Sequence, residues 1–249
     1  YYRVRAVNTI GTKEAWANGK TPPIFAPNCE VSGDLKKWQT TIVTCYGPLG
    51  LSETGASPNN PFLDYRFNVI FTSPTGKTLN VPGYYDGNDA TGASLWVARL
   101  NADEVGTWIF TTSFRKGNSI AVDLNANAGT SAAHFDGTSD SFPVAERDVN
   151  APGFLKYGEL EYAVGHFFKF RDGPYFVKGG ADSPENILGF TDFDNTPTAR
   201  LDYAAHVQDW QSGDPTWNNG MGKGIIGALN YLSSQGVNSI YFLPMNIGG

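Results

Sequence analysis

Short segments of alternating apolar and polar residues fill the first half of the sequence, and they restrict the fold more than any other feature. Residues 63–72 alternate with a period of two and end at Ser73-Pro74-Thr75-Gly76, a run of turn-forming residues. Further strand-like segments lie at residues 38–45, 94–100, 107–114 and 141–144. Because turn residues separate these segments and no helical period lies between them, the pattern predicts a mainly β fold, with an antiparallel immunoglobulin-like β-sandwich at residues 24–147.

The pattern changes after Pro152. Three apolar segments are predicted as strands, at residues 161–164, 166–170 and 174–181. A helix is then predicted, with one apolar face formed by Ile225, Ile226, Leu229 and Leu232. Gly236 stands where helices commonly end, and an apolar strand is predicted at residues 240–246. Strand, helix and strand in this order predict a truncated α/β, TIM-barrel-like segment at residues 151–249.

The first 22 residues have a pattern of their own. Residues 1–11 resemble the penultimate strand of a fibronectin type III module. Their sequence is Tyr-Tyr-Arg-Val-Arg-Ala-Val-Asn-Thr-Ile-Gly. The consecutive prolines Pro22 and Pro23 predict a linker after it, because such a pair does not fit inside a sheet. We therefore expect residues 1–22 to be the C-terminal strands of a fibronectin type III-like module, and the chain to be part of a longer protein.

The charge balance excludes some partners. Asp and Glu number 24 against 18 Lys and Arg, which gives a net charge of -6. An acidic chain without basic clusters does not favour nucleic acid. No apolar run approaches the roughly 20 residues of a membrane-spanning helix, so we expect no membrane span. The three histidines, His134, His166 and His206, are scattered, so neither a metal site nor a cofactor is expected.

The chain has two cysteines, Cys29 and Cys45, both in the β-rich part. Two alternatives are open for them. In an exported protein they would form a disulfide across neighbouring strands; otherwise they are two free, half-buried thiols.

Several longer motifs resemble a known family arrangement. Three of them resemble a sandwich domain of unknown function, DUF5060. They are Asn-Pro-Phe-Leu-Asp at residues 60–64, Val-Pro-Gly-Tyr-Tyr-Asp-Gly at 81–87 and Asp-Glu-Val-Gly-Thr-Trp at 103–108. That domain precedes a glycoside-hydrolase barrel in secreted bacterial proteins. The segments that look like the start of this barrel are residues 175–186, 209–217 and 224–249.

The resemblance implies a function as well as a fold. It implies an extracellular or periplasmic bacterial glycoside hydrolase that acts on a polysaccharide or glycoconjugate. In similar barrels the two catalytic carboxylates follow the fourth and seventh strands, so we expect them beyond Gly249 and assign no catalytic residue here. The alternative is a non-catalytic carbohydrate-binding or adhesion module of a secreted multidomain protein.

Polar residues that follow the predicted barrel strands are candidates for substrate binding. Asp182, Glu185 and Asn186 follow the first of these strands, and Asn246 lies at the end of the second. Active sites of such barrels lie at the carboxyl ends of the strands, where carboxylates and amides can bind sugar hydroxyls. The structural alternative is that Asp182 and Glu185 form the first turn of a short helix.

A long segment after the first barrel strand carries the remaining candidates. Trp210 and Trp217 flank Asp214, and indole rings stack well on the apolar faces of sugars. The alternative is that both tryptophans fix the segment onto the protein by packing. Nearby, His206 and Asp209 are three residues apart, a spacing that favours a structural hydrogen bond over acid-base catalysis.

Overall fold

The computed structural model describes residues 3–8, 11–16, 29–180, 187–193 and 201–242. Over these residues the protein is mainly β, and its sheets are antiparallel, which confirms the predicted fold class. The chain divides into two compact units. The first consists of Tyr1–Glu159 and Phe170–Pro174, and the second of Leu160–Lys169 and Tyr175–Gly249.

The first unit begins with an antiparallel strand pair, β1 (Arg3–Asn8) and β2 (Gly11–Trp16). It lies where the sequence predicts the last strands of a fibronectin type III-like module, and that assignment stays a prediction. The following strands are β3 (Cys29–Gly33), β4 (Thr40–Leu49), β5 (Tyr65–Thr72), β6 (Thr78–Pro82), β7 (Tyr84–Asn88), β8 (Ala93–Asn101), β9 (Gly106–Lys116), β10 (Thr130–Ser131) and β11 (Ser139–Val144). A short 3-10 helix, Ile120–Val122, lies between β9 and β10.

These nine strands form two sheets. One has the order β3-β4-β8-β7, and the other the order β10-β9-β5-β6 with β11 also paired to β9. Alternate residues of each strand point inward, as the period of two predicts, and Phe67, Val69 and Phe71 of β5 are buried. They join one core with Trp96 of β8 and Phe114 of β9. Each fully buried side chain of this kind stabilises the fold by about 1.5–3 kcal/mol.

Cys29 and Cys45 form a disulfide. The two residues are direct partners in the register of β3 and β4, and both are buried in the core. Of the two alternatives left open by the sequence, the structure therefore has the cross-strand disulfide.

Beyond the sandwich, a small antiparallel sheet has the order β12-β13-β14. Its strands are β12 (Leu160–Tyr162), β13 (Phe168–Phe170) and β14 (Tyr175–Phe176). They overlap the three segments predicted as strands, but β14 is only two residues long and runs antiparallel to β13. A 3-10 helix, Ala204–Asp209, and the α-helix α1, Lys223–Ser234, come next. None of the helices among the described residues is long and apolar enough to cross a membrane.

The predicted apolar face of α1 contacts a second, smaller core. Ile225 is buried with Ile187 and Phe190, and Ile226 packs against them, whereas Leu229 is exposed. After α1, residues 237–242 are not in a strand. Asn238 nevertheless lies along the segment that follows β14: its backbone N–H donates to the Gly179 carbonyl at 2.8 Å and its Nδ2 donates to the Val177 carbonyl at 2.9 Å. The barrel itself stays a prediction.

Candidate functional site

Two glycines of α1 allow the preceding 3-10 helix to lie directly against it. A Cβ atom at Gly227 would collide with the carbonyl oxygen of His206, and one at Gly224 with that of Asp202. Only glycine permits so close an approach of two backbones. The position at which Trp210 leaves the 3-10 helix is therefore fixed by backbone packing.

Trp210 lies in the segment of residues 209–217, which we call the 209–217 loop. Its indole N–H donates a 3.3 Å hydrogen bond to the Pro215 carbonyl, which folds the loop back on itself. The ammonium group of Lys223, the first residue of α1, lies 4.4 Å from the centre of the indole ring. This cation–π contact holds the half-buried ring in one orientation.

Asp214 attaches the same loop to α1. Its Oδ2 accepts hydrogen bonds from the Gln211 backbone N–H at 2.8 Å and from Asn230 Nδ2 at 2.7 Å. Asn230 Nδ2 also donates to the Asp209 carbonyl at 3.0 Å. The loop therefore has two attachments to the helix, Lys223 and Asn230, and the side chains of Trp210 and Asp214 are held on a rigid support.

Trp217 has a different environment. Its ring is stacked on Phe193, with 5.4 Å between the ring centres and 10° between the planes, and its indole N–H donates to the Asp192 carbonyl at 3.0 Å. The carboxylate of Asp192 in turn accepts the N–H of Gly222 at the start of α1. These contacts give Trp217 the packing role that the sequence left as the alternative, and its role in binding stays a prediction.

His206 and Asp209 form the predicted hydrogen bond. Nδ1 of the imidazole lies 3.0 Å from Oδ2 of the carboxylate, and the ring packs against Tyr231 of α1 with 4.8 Å between the ring centres. The carboxylate of Asp209 is thus engaged within its own 3-10 helix. The arrangement matches the structural role that the sequence favoured.

Four of the predicted binding residues, Asp182, Glu185, Asn186 and Asn246, lie outside the described residues. Their role in binding stays a prediction. Among the residues that the structure does describe, no three His, Cys, Asp or Glu side chains come together in a group able to hold a metal ion.

The sequence analysis missed Lys223 and Asn230, which position the loop. The two residues are seven positions apart in α1, so they lie on the same face of the helix, two turns from each other. A polar pair at this spacing, on a helix whose other residues supply an apolar face, is a signal for a contact with a neighbouring loop.

Comparison with known proteins gives one family match and one similar structure. Residues 34–115 match the family described as "Domain of unknown function (DUF5060)". Among solved structures, the chain is similar to a crystal structure of a "putative glycoside hydrolase from Bacteroides vulgatus", with 19% sequence identity and a TM-score of 0.41. That match covers 61% of this chain and 23% of the other, so this chain spans less than a quarter of the protein it matches. No curated protein matches the sequence.

The family match confirms the DUF5060 domain predicted from the motifs. All three motifs, at residues 60–64, 81–87 and 103–108, lie within the matched range of 34–115. That range also contains strands β4 to β9, which include the central strands of both sheets. The matched range thus lies within the sandwich, and the description of the family names no activity for it.

Proposed function

We propose that the chain belongs to an extracellular glycoside hydrolase that acts on a polysaccharide or glycoconjugate, and that the 209–217 loop contributes contacts to the carbohydrate. The observation that carries the proposal is the double attachment of this loop to α1. Lys223 holds the ring of Trp210, and Asn230 holds the carboxylate of Asp214.

The chemistry of these two side chains suits a sugar. A pyranose ring has faces of C–H groups, which pack on an indole, and an edge of hydroxyl groups, which donate to a carboxylate. Because both side chains are held before any ligand arrives, little conformational entropy is lost on binding. The loop thus has the aromatic surface and the acceptor that a carbohydrate subsite needs.

The cysteine chemistry is compatible with an extracellular location. Disulfides persist in oxidising compartments and are rare in the cytosol of most organisms. The Cys29–Cys45 disulfide of the sandwich is of this kind. It supports the secreted location that the proposed function requires.

Affinity electrophoresis tests the role of the loop. It measures how strongly soluble polysaccharides retain the full chain. We expect Trp210→Ala and Asp214→Asn to weaken retention by tenfold or more, which corresponds to roughly 1.4 kcal/mol or more for each contact. Val207→Ala and Asp202→Asn are matched controls, because both residues are exposed and lie outside the loop. Equal retention of the loop variants and the wild type would show that the 209–217 loop does not contact the carbohydrate.

Release of reducing sugar separates hydrolysis from binding alone. The assay uses the protein in its full natural length with the polysaccharide that is retained best. Release of new reducing ends supports the glycoside hydrolase. Retention without release would instead identify the non-catalytic carbohydrate-binding module, because binding and hydrolysis need the same contacts but only hydrolysis needs two reacting carboxyl groups.

A further inference from the structure

The first unit contains a cavity that involves none of the predicted binding residues. Its volume is about 400 Å³, which lies within the range of about 300–1,000 Å³ that is usual for ligand pockets. Four parts of the chain line it: Trp38, the residues Lys77 and Leu79 around the start of β6, the residues Asn101 and Asp103 around the end of β8, and residues within 154–159.

Asp103 is the central polar residue of this cavity. Its side chain is only 13% exposed, and its Oδ2 accepts from Lys77 Nζ at 3.0 Å and Arg171 Nη1 at 3.4 Å. The other carboxylate oxygen, Oδ1, is buried and has no hydrogen-bond partner among the described residues. Because Oδ1 is closed off from solvent, a ligand in the cavity cannot reach it. The carboxylate of Glu159, which also lines the cavity and whose side chain is 58% exposed, is the acceptor that a ligand can reach.

The charges around the cavity cancel. Arg171 forms ion pairs with Asp103 through Nη1 and with Glu159 through Nη2, the second at 3.0 Å. Lys77 also pairs with Asp103. Two positive side chains therefore balance two carboxylates. A divalent cation would meet Lys77 and Arg171 at short range, and an anion would meet Asp103 and Glu159. The electrostatics therefore favour a neutral ligand with hydroxyl groups.

The rest of the wall is apolar. Phe154 and Leu155 line the cavity and are 44% and 42% exposed, and Leu79 and the buried Trp38 complete the surface. The ring of Phe154 is held by stacking on Phe170, with 5.0 Å between the ring centres. An aromatic ring fixed in this way beside polar groups offers the combination of a flat apolar surface and hydrogen-bonding atoms that sugars require.

We propose that this cavity is a binding site for a neutral saccharide of one or two rings. One sugar hydroxyl donates to the carboxylate of Glu159, and the Lys77 ammonium donates to a neighbouring hydroxyl oxygen. The C–H face of the ring packs against Phe154 and Leu155. The proposal goes beyond the function proposed for the chain, because it assigns a carbohydrate site to the unit that contains the DUF5060 domain and does not depend on the 209–217 loop.

The test is a titration of the full chain with defined sugars. The neutral probes are glucose, galactose, mannose, xylose, arabinose and cellobiose; glucuronic acid and calcium chloride are the charged probes. Calorimetry measures affinity, and two-dimensional ¹⁵N–¹H spectra follow the side-chain amide of Asn101 and the indole N–H of Trp38, which both line the cavity. We expect at least one neutral sugar to bind and to shift both signals.

Variants then assign the binding to the cavity. Glu159→Gln replaces the charged acceptor and Phe154→Ala removes the apolar wall, and each is expected to weaken binding at least tenfold. The matched controls are Asp34→Asn, an exposed aspartate elsewhere in the unit, and Phe62→Ala, a phenylalanine 51% exposed that does not line this cavity. Both are expected to bind like the wild type. If Glu159→Gln does not fold, the result for Phe154→Ala alone decides whether the cavity binds the sugar.

Three results would overturn the proposal. The first is the absence of binding by every neutral probe up to about 50 mM, which is weaker than a Kd of 1 mM by a factor of about fifty. The second is binding that Phe154→Ala leaves unchanged or that Phe62→Ala abolishes. The third is tighter binding of glucuronic acid or calcium than of any neutral sugar, which would contradict the charge balance of the cavity.

Discussion

The indole N–H of Trp38 donates a 2.6 Å hydrogen bond to Oδ2 of Asp172, which lies 134 residues further along the chain. The same carboxylate oxygen lies 3.2 Å from Lys37 Nζ, and the guanidinium of Arg171 lies over the Trp38 ring at 5.3 Å. Trp38 is buried. The pair therefore joins the beginning of the sandwich to the segment 170–174 within the first unit.

Trp38→Phe tests the strength of this connection. The change keeps an aromatic ring but removes the N–H donor, so we expect the free energy of unfolding to fall by about 1.5–3 kcal/mol, the usual contribution of a hydrogen bond to a charged group. Urea denaturation followed by circular dichroism measures the loss. Asp34→Asn, at an exposed position, is the control and should have little effect. A Trp38→Phe variant as stable as the wild type would contradict the prediction.

The stability that Asp172 contributes depends on pH. The hydrogen bond from Trp38 is the largest influence on this carboxyl group; burial opposes it and Lys37 adds to it, and together they hold the pKa of Asp172 below its ordinary value of 3.8. Because the folded pKa is lower than the unfolded one, the contribution is present above about pH 4 and is lost as the pH falls through the folded pKa.

Asp172→Asn should therefore destabilise the protein at pH 7 and pH 5, and the difference from the wild type should shrink below about pH 4. Urea denaturation at pH 7, 5, 4 and 3 gives the comparison. A difference that stays constant to pH 3, or that grows, would show that the carboxylate does not stabilise the fold through its charge.

The alternation of residues was enough to predict the longer strands of the sandwich. Residues 63–72 were predicted as a strand, and β5 covers Tyr65–Thr72 with Phe67, Val69 and Phe71 buried. Strand β6, by contrast, was not predicted, because Thr78–Pro82 is short and ends in a proline, a residue that argues against a strand. Its position is determined by pairing with β5, from Asn68↔Pro82 to Thr72↔Thr78, and no local pattern indicates that pairing.

The candidate sites depend on contacts between residues that are distant in sequence. From the sequence alone, Trp210 and Trp217 were equivalent candidates for binding or packing. The structure distinguishes them, because Trp217 stacks on Phe193 whereas Trp210 lies beneath Lys223. The cavity at Asp103 was not predicted at all, since Arg171 reaches that carboxylate across 68 residues. Side-chain types indicate what a residue can bind, but only tertiary contacts decide whether it is available.

The Cys29–Cys45 disulfide should stabilise the sandwich. The two cysteines are separated by 16 residues, and closing a loop of about this length in the unfolded chain is worth about 3 kcal/mol. We expect the midpoint of thermal unfolding to fall on reduction with a phosphine, and Cys29→Ala/Cys45→Ala to reproduce the shift. The double variant should not respond to the reductant. Detection of two free thiols in untreated, secreted protein would contradict the assignment.

Gly227→Ala should destabilise the second unit. Alanine normally stabilises the interior of a helix relative to glycine by about 0.5–1 kcal/mol. Here the added Cβ would collide with the carbonyl oxygen of His206, so we expect a net loss of about 1–3 kcal/mol. Ser233→Ala, at an exposed position of the same helix, is the control. Hydrogen exchange of α1 amides measures both effects, and slower exchange in Gly227→Ala than in the wild type would contradict the close packing.

Asn230→Ala should loosen the 209–217 loop without unfolding α1. The change removes the hydrogen bonds from Nδ2 to the Asp209 carbonyl and to Oδ2 of Asp214, while the loop keeps its contact with Lys223. We expect backbone amides of residues 211–214 to exchange about tenfold faster, because the loop loses one of its two attachments, and those of α1 to exchange at the rate of the wild type. Gln208→Ala, an exposed amide in the preceding 3-10 helix, is the control.

If the loop amides exchange as slowly in Asn230→Ala as in the wild type, Lys223 and the internal bonds of the loop are sufficient to hold Trp210 and Asp214. In that case the double attachment cannot be the reason that the loop is ready to bind sugar.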